Sequence, residues 1–530
     1  MTFSRLIDDL IRETIDVSLP AFAAELVVCA TILALLLGRL LGTDRVMEPR
    51  WVALGGAVLA LAVTLPQWLA AFGSEPSITR QAFFANMLVQ DPLTVYLRAL
   101  LLMFLALTTW LTAIGGIPDR EDGPDFYTLL FGSTLGALLM VQSNHLLMLF
   151  LSVEMASVPG YALVGFQKGR RQSSEAALKY LVYGAGAAGI LLYGTSLIAG
   201  ALGVATLPAI AERMPSLLET GVSPLATAEG RTVVLGAVFV FSGLAFKLSL
   251  VPFHFWCPDA FEGASAEVAG FLSVAPKAAA FALLVRFVQS LFGTGGAAGE
   301  ELRFAFGVGL AVVSATTMTL GNLAAFSQEN AKRLFAYSTI AHAGYMLMGV
   351  AAWMVAGEEV GRRGLEGLFY YLAVYVFMNL GAFAIVALLR NVTFSEQIAD
   401  YAGLGTRLPV VCGGMAICCL SLVGLWPAGG FIGKFMVFAA SLQAGWVSPV
   451  MWALVGIAVV NTVWSVFYYA RILKAMYLQP PTDAERLREI KPSLAADGLV
   501  IALTIPILLL GVFVEPLSRA ASIVADSLLS

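Results

Sequence analysis

Val233-Val-Leu-Gly-Ala-Val-Phe-Val-Phe-Ser-Gly-Leu-Ala-Phe-Lys247-Leu-Ser-Leu-Val-Pro252-Phe-His254-Phe-Trp256 is an apolar run long enough to cross a bilayer. It nonetheless carries a lysine in its middle and, five residues later, a proline that should break the helix. A cation there cannot snorkel easily to either surface, and hydrocarbon penalises it by several kcal/mol unless a partner or water stabilises it. Lys277 and Lys434 recur in other apolar spans, and Glu154 in a fourth. Charges that costly mark ion pathways more often than packing accidents, so the chain is expected to pass ions through its own interior.

Composition supports that setting. The chain has 530 residues, 59% hydrophobic and 12% charged, with a mean hydropathy of +0.84. A soluble protein of this length needs far more polar surface, so the fold class is all-α polytopic membrane protein. A net charge of −4 gives no basic footprint for nucleic acid. Cys29, Cys257, Cys412, Cys418 and Cys419 lack paired metal-ligand spacing, and there are only three histidines. No zinc site, iron–sulfur cluster or other cofactor is therefore expected in this chain. Residues 1–20 carry Asp8, Asp9, Glu13 and Asp16 where a signal peptide wants lysines and arginines. With Leu6, Leu10 and Ile11 at helical spacing, they read as a short interfacial segment.

Apolar windows of spanning length fall near 21–41, 51–72, 93–115, 126–142, 145–166, 174–203, 233–256 and 265–292. Others lie near 303–326, 334–356, 366–389, 408–443, 450–478 and 497–515, about fourteen in all. They are helices, because the ten-residue alternation of a barrel is absent. Loops after odd-numbered spans hold Arg45, Arg50, Arg120, Lys168, Arg170, Arg171, Lys332, Arg333, Arg390, Arg407, Arg486, Arg488 and Lys491. Loops after even-numbered spans hold about half as many cations, most with glutamate nearby, which predicts both termini outside. The organisation read from this is an interfacial segment (1–20), three helices (21–125), two similar halves (126–292 and 303–478), and a last helix with its tail (497–530). Each half has a proline break, at Pro252 and at Pro427 within Gly424–Gly430. Paired interrupted helices point to an ion site between inverted repeats, here spans four to eight and nine to thirteen.

The titratable residues fall around these breaks. Glu154 has Pro159 and Gly160 just beyond it, and Lys247 is its obvious partner; a static ion pair that fixes packing is the alternative. On an unbroken helix Lys247 and His254 would share a face, and Pro252 frees carbonyls between them. Lysine suits proton loading because burial makes its proton exchangeable, and histidine titrates near neutrality. Lys277 follows Pro276 in the next span and would be the central carrier. Lys434 follows the flexible stretch Gly429-Gly430-Phe431-Ile432-Gly433. Further relay candidates are His342, which could equally be a satisfied core histidine, and Lys179, for which an i,i+4 pair with Glu175 is the plain reading. Glu25 is a weaker case, and His145 an interfacial one. No P-loop or dinucleotide-binding glycine pattern occurs, so driving energy must come from an ion gradient or from partner subunits.

At these residues the chain resembles the antiporter-like membrane subunits of complex I. Phe246-Lys-Leu-Ser-Leu-Val-Pro-Phe-His-Phe-Trp-Cys-Pro-Asp259 resembles that family's broken seventh helix, Phe271-Leu-Ser-Val-Ala-Pro-Lys277 its eighth, and Lys332-Arg-Leu-Phe-Ala-Tyr-Ser-Thr-Ile-Ala-His342 its tenth. The branch it resembles is subunit N, through Glu154, Tyr161, Gly165 and Ser174-Glu-Ala-Ala-Leu-Lys-Tyr180. Gly430-Phe-Ile-Gly-Lys-Phe435 carries lysine where subunit M would imply glutamate, and the long lateral helix of subunit L is not seen. Trp426 departs from the family, which more often has a proline there.

The resemblance implies a proton-translocating subunit of NADH:quinone oxidoreductase in a bacterial inner membrane. NADH, flavin, iron–sulfur clusters and quinone would be bound by partner subunits. It further implies that Glu154 and Lys247 pair to gate a half-channel, that Lys277 carries protons with help from His254, and that Lys434 lies on the exit side. Two alternatives remain open: a subunit of a multi-subunit cation/proton antiporter, and a scaffold subunit whose charges only hold helices together.

Overall fold

The computed structural model describes residues 11–45, 47–73, 78–119, 121–218, 224–293, 297–480 and 493–529. Leu6, Leu10, Asp8, Asp9, Arg120, Arg486, Arg488 and Lys491 lie outside them. After short helical segments at Glu13–Ser18 and Leu19–Ala21, the chain runs through helices α1 (Ala23–Leu41), α2 (Pro49–Phe72), α3 (Pro92–Gly115) and α4 (Gly123–Gln142). The first half continues with α5 (Leu146–Val164), α6 (Arg171–Leu202), the short α7 (Leu207–Leu218), α8 (Ala228–Leu248), α9 (Trp256–Gly263) and α10 (Ala266–Phe292). The second half holds α11 (Ala297–Ala325), α12 (Ala331–Ala356), α13 (Glu358–Thr393), α14 (Pro409–Val423), α15 (Gly429–Ala444) and α16 (Pro449–Leu478). It closes with α17 (Leu494–Val512) and α18 (Glu515–Leu529).

Among the described residues, thirteen helices are long and apolar enough to cross a membrane. The remaining expected span, 408–443, is two helices, α14 and α15, each too short to cross about 30 Å alone. The tail expected after the last span is itself a helix, α18, tied back by Arg362–Asp526 at 2.9 Å. Burial sorts the bundle into a centre and a lipid-facing rim. The most apolar stretch of α10 is 100% buried and those of α12 and α13 are 94% buried, whereas that of α2 is 22% buried. Leu, Val and Phe on the rim meet hydrocarbon at little cost, so only the central helices can bring side chains together away from both water and lipid.

The two breaks have the same local structure. Ser249 and Gly424 follow the last turns of α8 and α14 in the left-handed region, at φ 57° and 88°. One residue on, Leu250 N–H donates to Ala245 O at 2.8 Å, and Leu425 N–H to Leu420 O at 3.0 Å. These are Schellman closures, which satisfy carbonyls that the helix end would leave orphaned. Three residues after each left-handed residue comes the proline, Pro252 or Pro427, each after a cis peptide bond. Phe253 N–H then turns back to Leu250 O at 2.6 Å, and Ala428 N–H to Leu425 O at 3.1 Å. In this common register Lys247 corresponds to Leu422, and Lys434 to Asp259. The lysines therefore lie on opposite sides of equivalent breaks.

A feature not expected from the sequence is a small hairpin, β1 (Gln81–Phe83) paired antiparallel with β2 (Leu88–Gln90). It delivers Asp91 to the N-cap of α3, where its carboxylate accepts from Thr94 N–H at 2.9 Å.

Candidate functional site

The three intramembrane lysines are buried to within a few per cent: Lys247 2%, Lys277 3% and Lys434 4% exposed, with His342 at 2%. Lys247 occupies the last turn of α8 and Lys277 the middle of α10, just after Pro276. Neither Nζ has a hydrogen-bond partner. Lys434 differs. Its Nζ donates to Leu422 O and Val423 O, both at 3.0 Å, and lies 4.4 Å from the ring centroid of Tyr345. The carbonyl end of α14, with its partial negative charge, and an aromatic face thus take the place of a carboxylate.

Glu154 on α5 is half-buried. It is coupled electrostatically to Lys247, but the two form no ion pair, and the expected closed Glu154–Lys247 contact is not made in this conformation. The gap is a matter of side-chain reach: α5 and α8 both pack on α6 rather than on each other. His254 lies within the break itself, half-buried, with Nδ1 unpartnered and its ring 4.4 Å from that of Phe255. The break turns the chain away, so Lys247 and His254 do not share an unbroken helical face.

His342 is the centre of the second half. Its Nδ1 is 2.6 Å from Tyr371 Oη and its Nε2 3.3 Å from Tyr469 Oη, and Tyr469 in turn bonds Ser338. It is coupled electrostatically to both Lys434 and Lys277. Lys277, His342 and Lys434 therefore form one neighbourhood, and Glu154 with Lys247 another. Lys179 is not a buried relay. It is 42% exposed at the end of the bundle and paired at 2.9 Å with both Glu175 and Asp259. Asp259 also binds Arg333 at 2.9 Å, and Glu262 binds it at 2.5 Å, so the group is a charged cap over α9.

Sequence reasoning ranked Glu25 low and passed over several other buried charges. Arg98 on α3 bonds Glu25 on α1 at 2.8 Å, with both side chains almost wholly enclosed. Gln142 reaches the same carboxylate oxygen at 2.5 Å. Arg286 on α10 grips Asp91 with two 2.7 Å bonds and also donates to Val141 O. Of two residues assigned above to loops, Lys332 is buried and Arg390 mostly so. Lys332 bonds Glu396 at 2.9 Å and Ala264 O at 2.6 Å, and Arg390 bonds Glu267 at 3.0 Å. The signal was present, since Arg98, Arg286 and Glu267 interrupt apolar spans as Lys247 does; what the sequence lacks is the pairing. Among the described residues, no cluster of three or more His, Cys, Asp or Glu side chains converges as a metal site.

Two equivalent helix breaks beside buried lysines and a buried histidine are the features of an antiporter-like membrane subunit. Residues 143–462 match the transmembrane family described as NADH:quinone oxidoreductase/Mrp antiporter. The chain is 39% identical to NADH-quinone oxidoreductase subunit N 2 of Sorangium cellulosum over 510 residues, covering 94% of this chain and 96% of that protein. It is 37% identical to subunit N of an Anaeromyxobacter species over 452 residues, 83% of this chain and 84% of that one. Among solved structures, a chain of Thermus thermophilus respiratory complex I with bound aureothin aligns with a TM-score of 0.71 at 30% identity, covering 92% of this chain and 97% of that chain. A chain of the Mrp complex from Dietzia sp. shares the fold, with a TM-score of 0.78 at 20% identity over 96% and 99% of the two chains. The chain belongs to the family of NADH-quinone oxidoreductase subunit N.

Proposed function

We propose that this chain is a proton-translocating membrane subunit of an NADH:quinone oxidoreductase in the bacterial inner membrane. It would assemble with the other membrane subunits of that complex and carry no redox chemistry of its own, so its place is in a translocase. The observation that carries the reading is the contrast among the lysines. Lys434 holds its charge against two carbonyls and a ring, while Lys247 and Lys277 are buried without a hydrogen-bond partner. A buried amine without a fixed partner can gain or lose a proton as its surroundings change, and Lys434, held by neutral dipoles and not by a carboxylate, can still release one.

In this reading Glu154 and Lys247 approach and separate to gate uptake, and His254 supplies a titratable group at the break. Lys277 is the central carrier, His342 takes the proton onward, and Lys434 is the last station. Quinone reduction in neighbouring subunits provides the energy, and the termini lie on the outer side. Each charge moved against 100 mV needs about 2.3 kcal/mol, which such a coupled reaction can supply.

Replacing Lys247 by Ala or Met in the assembled complex is the test. Lost proton transfer with assembly intact supports translocation. Failed assembly, with whatever does assemble pumping normally, would make the charges a scaffold.

A further inference from the structure

The route between Lys277 and His342 is not closed by any titratable residue named so far. On α13, Tyr371, Tyr375 and Asn379 recur at i, i+4 and i+8, so they share one face of the helix. All three are buried. At one end Tyr371 Oη bonds His342 Nδ1. At the other, Asn379 Nδ2 donates to Ser273 Oγ at 2.5 Å, and Ser273 lies one turn before Lys277 on α10. Tyr375 stands between them, its ring centroid 5.5 Å from that of His342. The Cys257 thiol is close enough to interact electrostatically with both Lys277 and Tyr375. Tyr375 Oη, Asn379 Oδ1 and Lys277 Nζ are buried here without a hydrogen bond of good geometry, with the Thr339 hydroxyl near Tyr375 Oη. Buried polar groups in folded proteins are nearly always satisfied, so three such atoms along one helix face and its neighbour point to a path rather than to packing.

We propose that the Tyr375 hydroxyl relays protons between Lys277 and the Tyr371–His342 pair, with Asn379 as a positioning residue. A proton leaves the Lys277 ammonium and binds Tyr375 Oη, directly or through one water. The original Tyr375 hydrogen passes to Tyr371 Oη through a bridging water, because the two hydroxyls do not bond each other, and the Tyr371 hydrogen passes to His342 Nδ1. Both tyrosines end as neutral phenols, Lys277 as an amine and His342 as an imidazolium, so charge moves while no phenolate forms. The step requires the neutral imidazole to carry its hydrogen on Nε2, facing Tyr469, which fits the shorter contact at Nδ1.

The inference rests on the proposed translocation, and Lys277→Ala separates the two. The complex is reconstituted in vesicles, and protons moved per electron pair are measured beside uncoupled quinone reduction. Tyr375→Phe is expected to lower the proton ratio as far as Lys277→Ala does while uncoupled quinone reduction continues. Tyr375→His, which restores a proton carrier, should recover part of the loss, whereas a packing role predicts no advantage over Phe. Tyr193→Phe, on the lipid-facing rim, should change nothing. Normal pumping by Tyr375→Phe with Lys277→Ala inactive overturns the relay alone; normal pumping by Lys277→Ala overturns the translocation reading. Should the Tyr375 variants not assemble, infrared difference spectra of the native complex with ring-labelled tyrosine decide. A phenol C–O band must shift on quinone reduction, and its absence overturns the relay.

Discussion

Lys434 Nζ lies 4.4 Å from the ring centroid of Tyr345, and this contact completes a cation site that contains no carboxylate. The other two interactions are the carbonyls of Leu422 and Val423, the last two residues of α14. Because all three groups are fixed dipoles or a quadrupole, the site stabilises charge without holding a proton of its own. Tyr345→Leu should remove about 1–2 kcal/mol of that stabilisation, roughly a tenfold change in the population of charged Lys434. The expected result is proton transfer slowed by about that factor, with assembly unchanged. An unaltered rate in reconstituted vesicles would show that the ring is only packing.

Lys277→Arg discriminates a carrier from a structural cation. Arginine keeps the charge and, with its longer fork, could hold neighbouring dipoles, but it does not deprotonate in proteins. If Lys277 works by releasing a proton, Lys277→Arg should block translocation as completely as Lys277→Ala, with uncoupled quinone reduction retained. Vesicle acidification near the native value would instead show that only the charge matters.

Glu25→Ala should weaken the attachment of the first three helices. It leaves the Arg98 guanidinium, 0% exposed, without its carboxylate. Removing one partner of a buried pair costs about 3–5 kcal/mol. Glu25→Gln, which can still bond Arg98 and Gln142, should cost less. Thermal melting of the assembled complex is expected to rank native, Gln and Ala in falling order, and the reverse order for Gln and Ala would contradict the pairing.

Gly430→Ala tests the geometry of the second break. A Cβ there would clash with Ser421 O, a backbone atom that cannot rotate aside. The break must therefore open, carrying Lys434 away from the carbonyls of Leu422 and Val423. Overpacking of this kind costs about 1–3 kcal/mol. Both the melting temperature and proton transfer should fall together, and loss of stability with transfer untouched would separate the break from Lys434.

Much of this architecture was legible in the chain. Spans of about the right length, the two prolines at the breaks and the three costly lysines all follow from hydropathy and from the price of a charge in hydrocarbon, which are local properties. Lys247, Lys277, Lys434 and His342 could be picked out because each is an isolated titratable group in an apolar window. Lys179 was legible in part, since its plain reading as an i,i+4 partner of Glu175 is what the structure shows. Its window is apolar too, and only the fold brings Asp259 beside it at the surface.

What the sequence determined by itself was where the chain crosses the membrane, where it breaks, and which residues are too expensive to be ornamental. Only the tertiary structure decided the partners. It set Glu25 against Arg98, Asp91 against Arg286 and Lys332 against Glu396, and left Lys247 and Lys277 without hydrogen-bond partners. The physical reason is that insertion energies depend on one helix at a time, whereas an ion pair or a relay depends on which faces of distant helices meet. Ser249 and Gly424 illustrate the limit. The prolines mark both breaks in the sequence, but that the two close with the same left-handed turn and the same Schellman bond appears only when the backbone is folded.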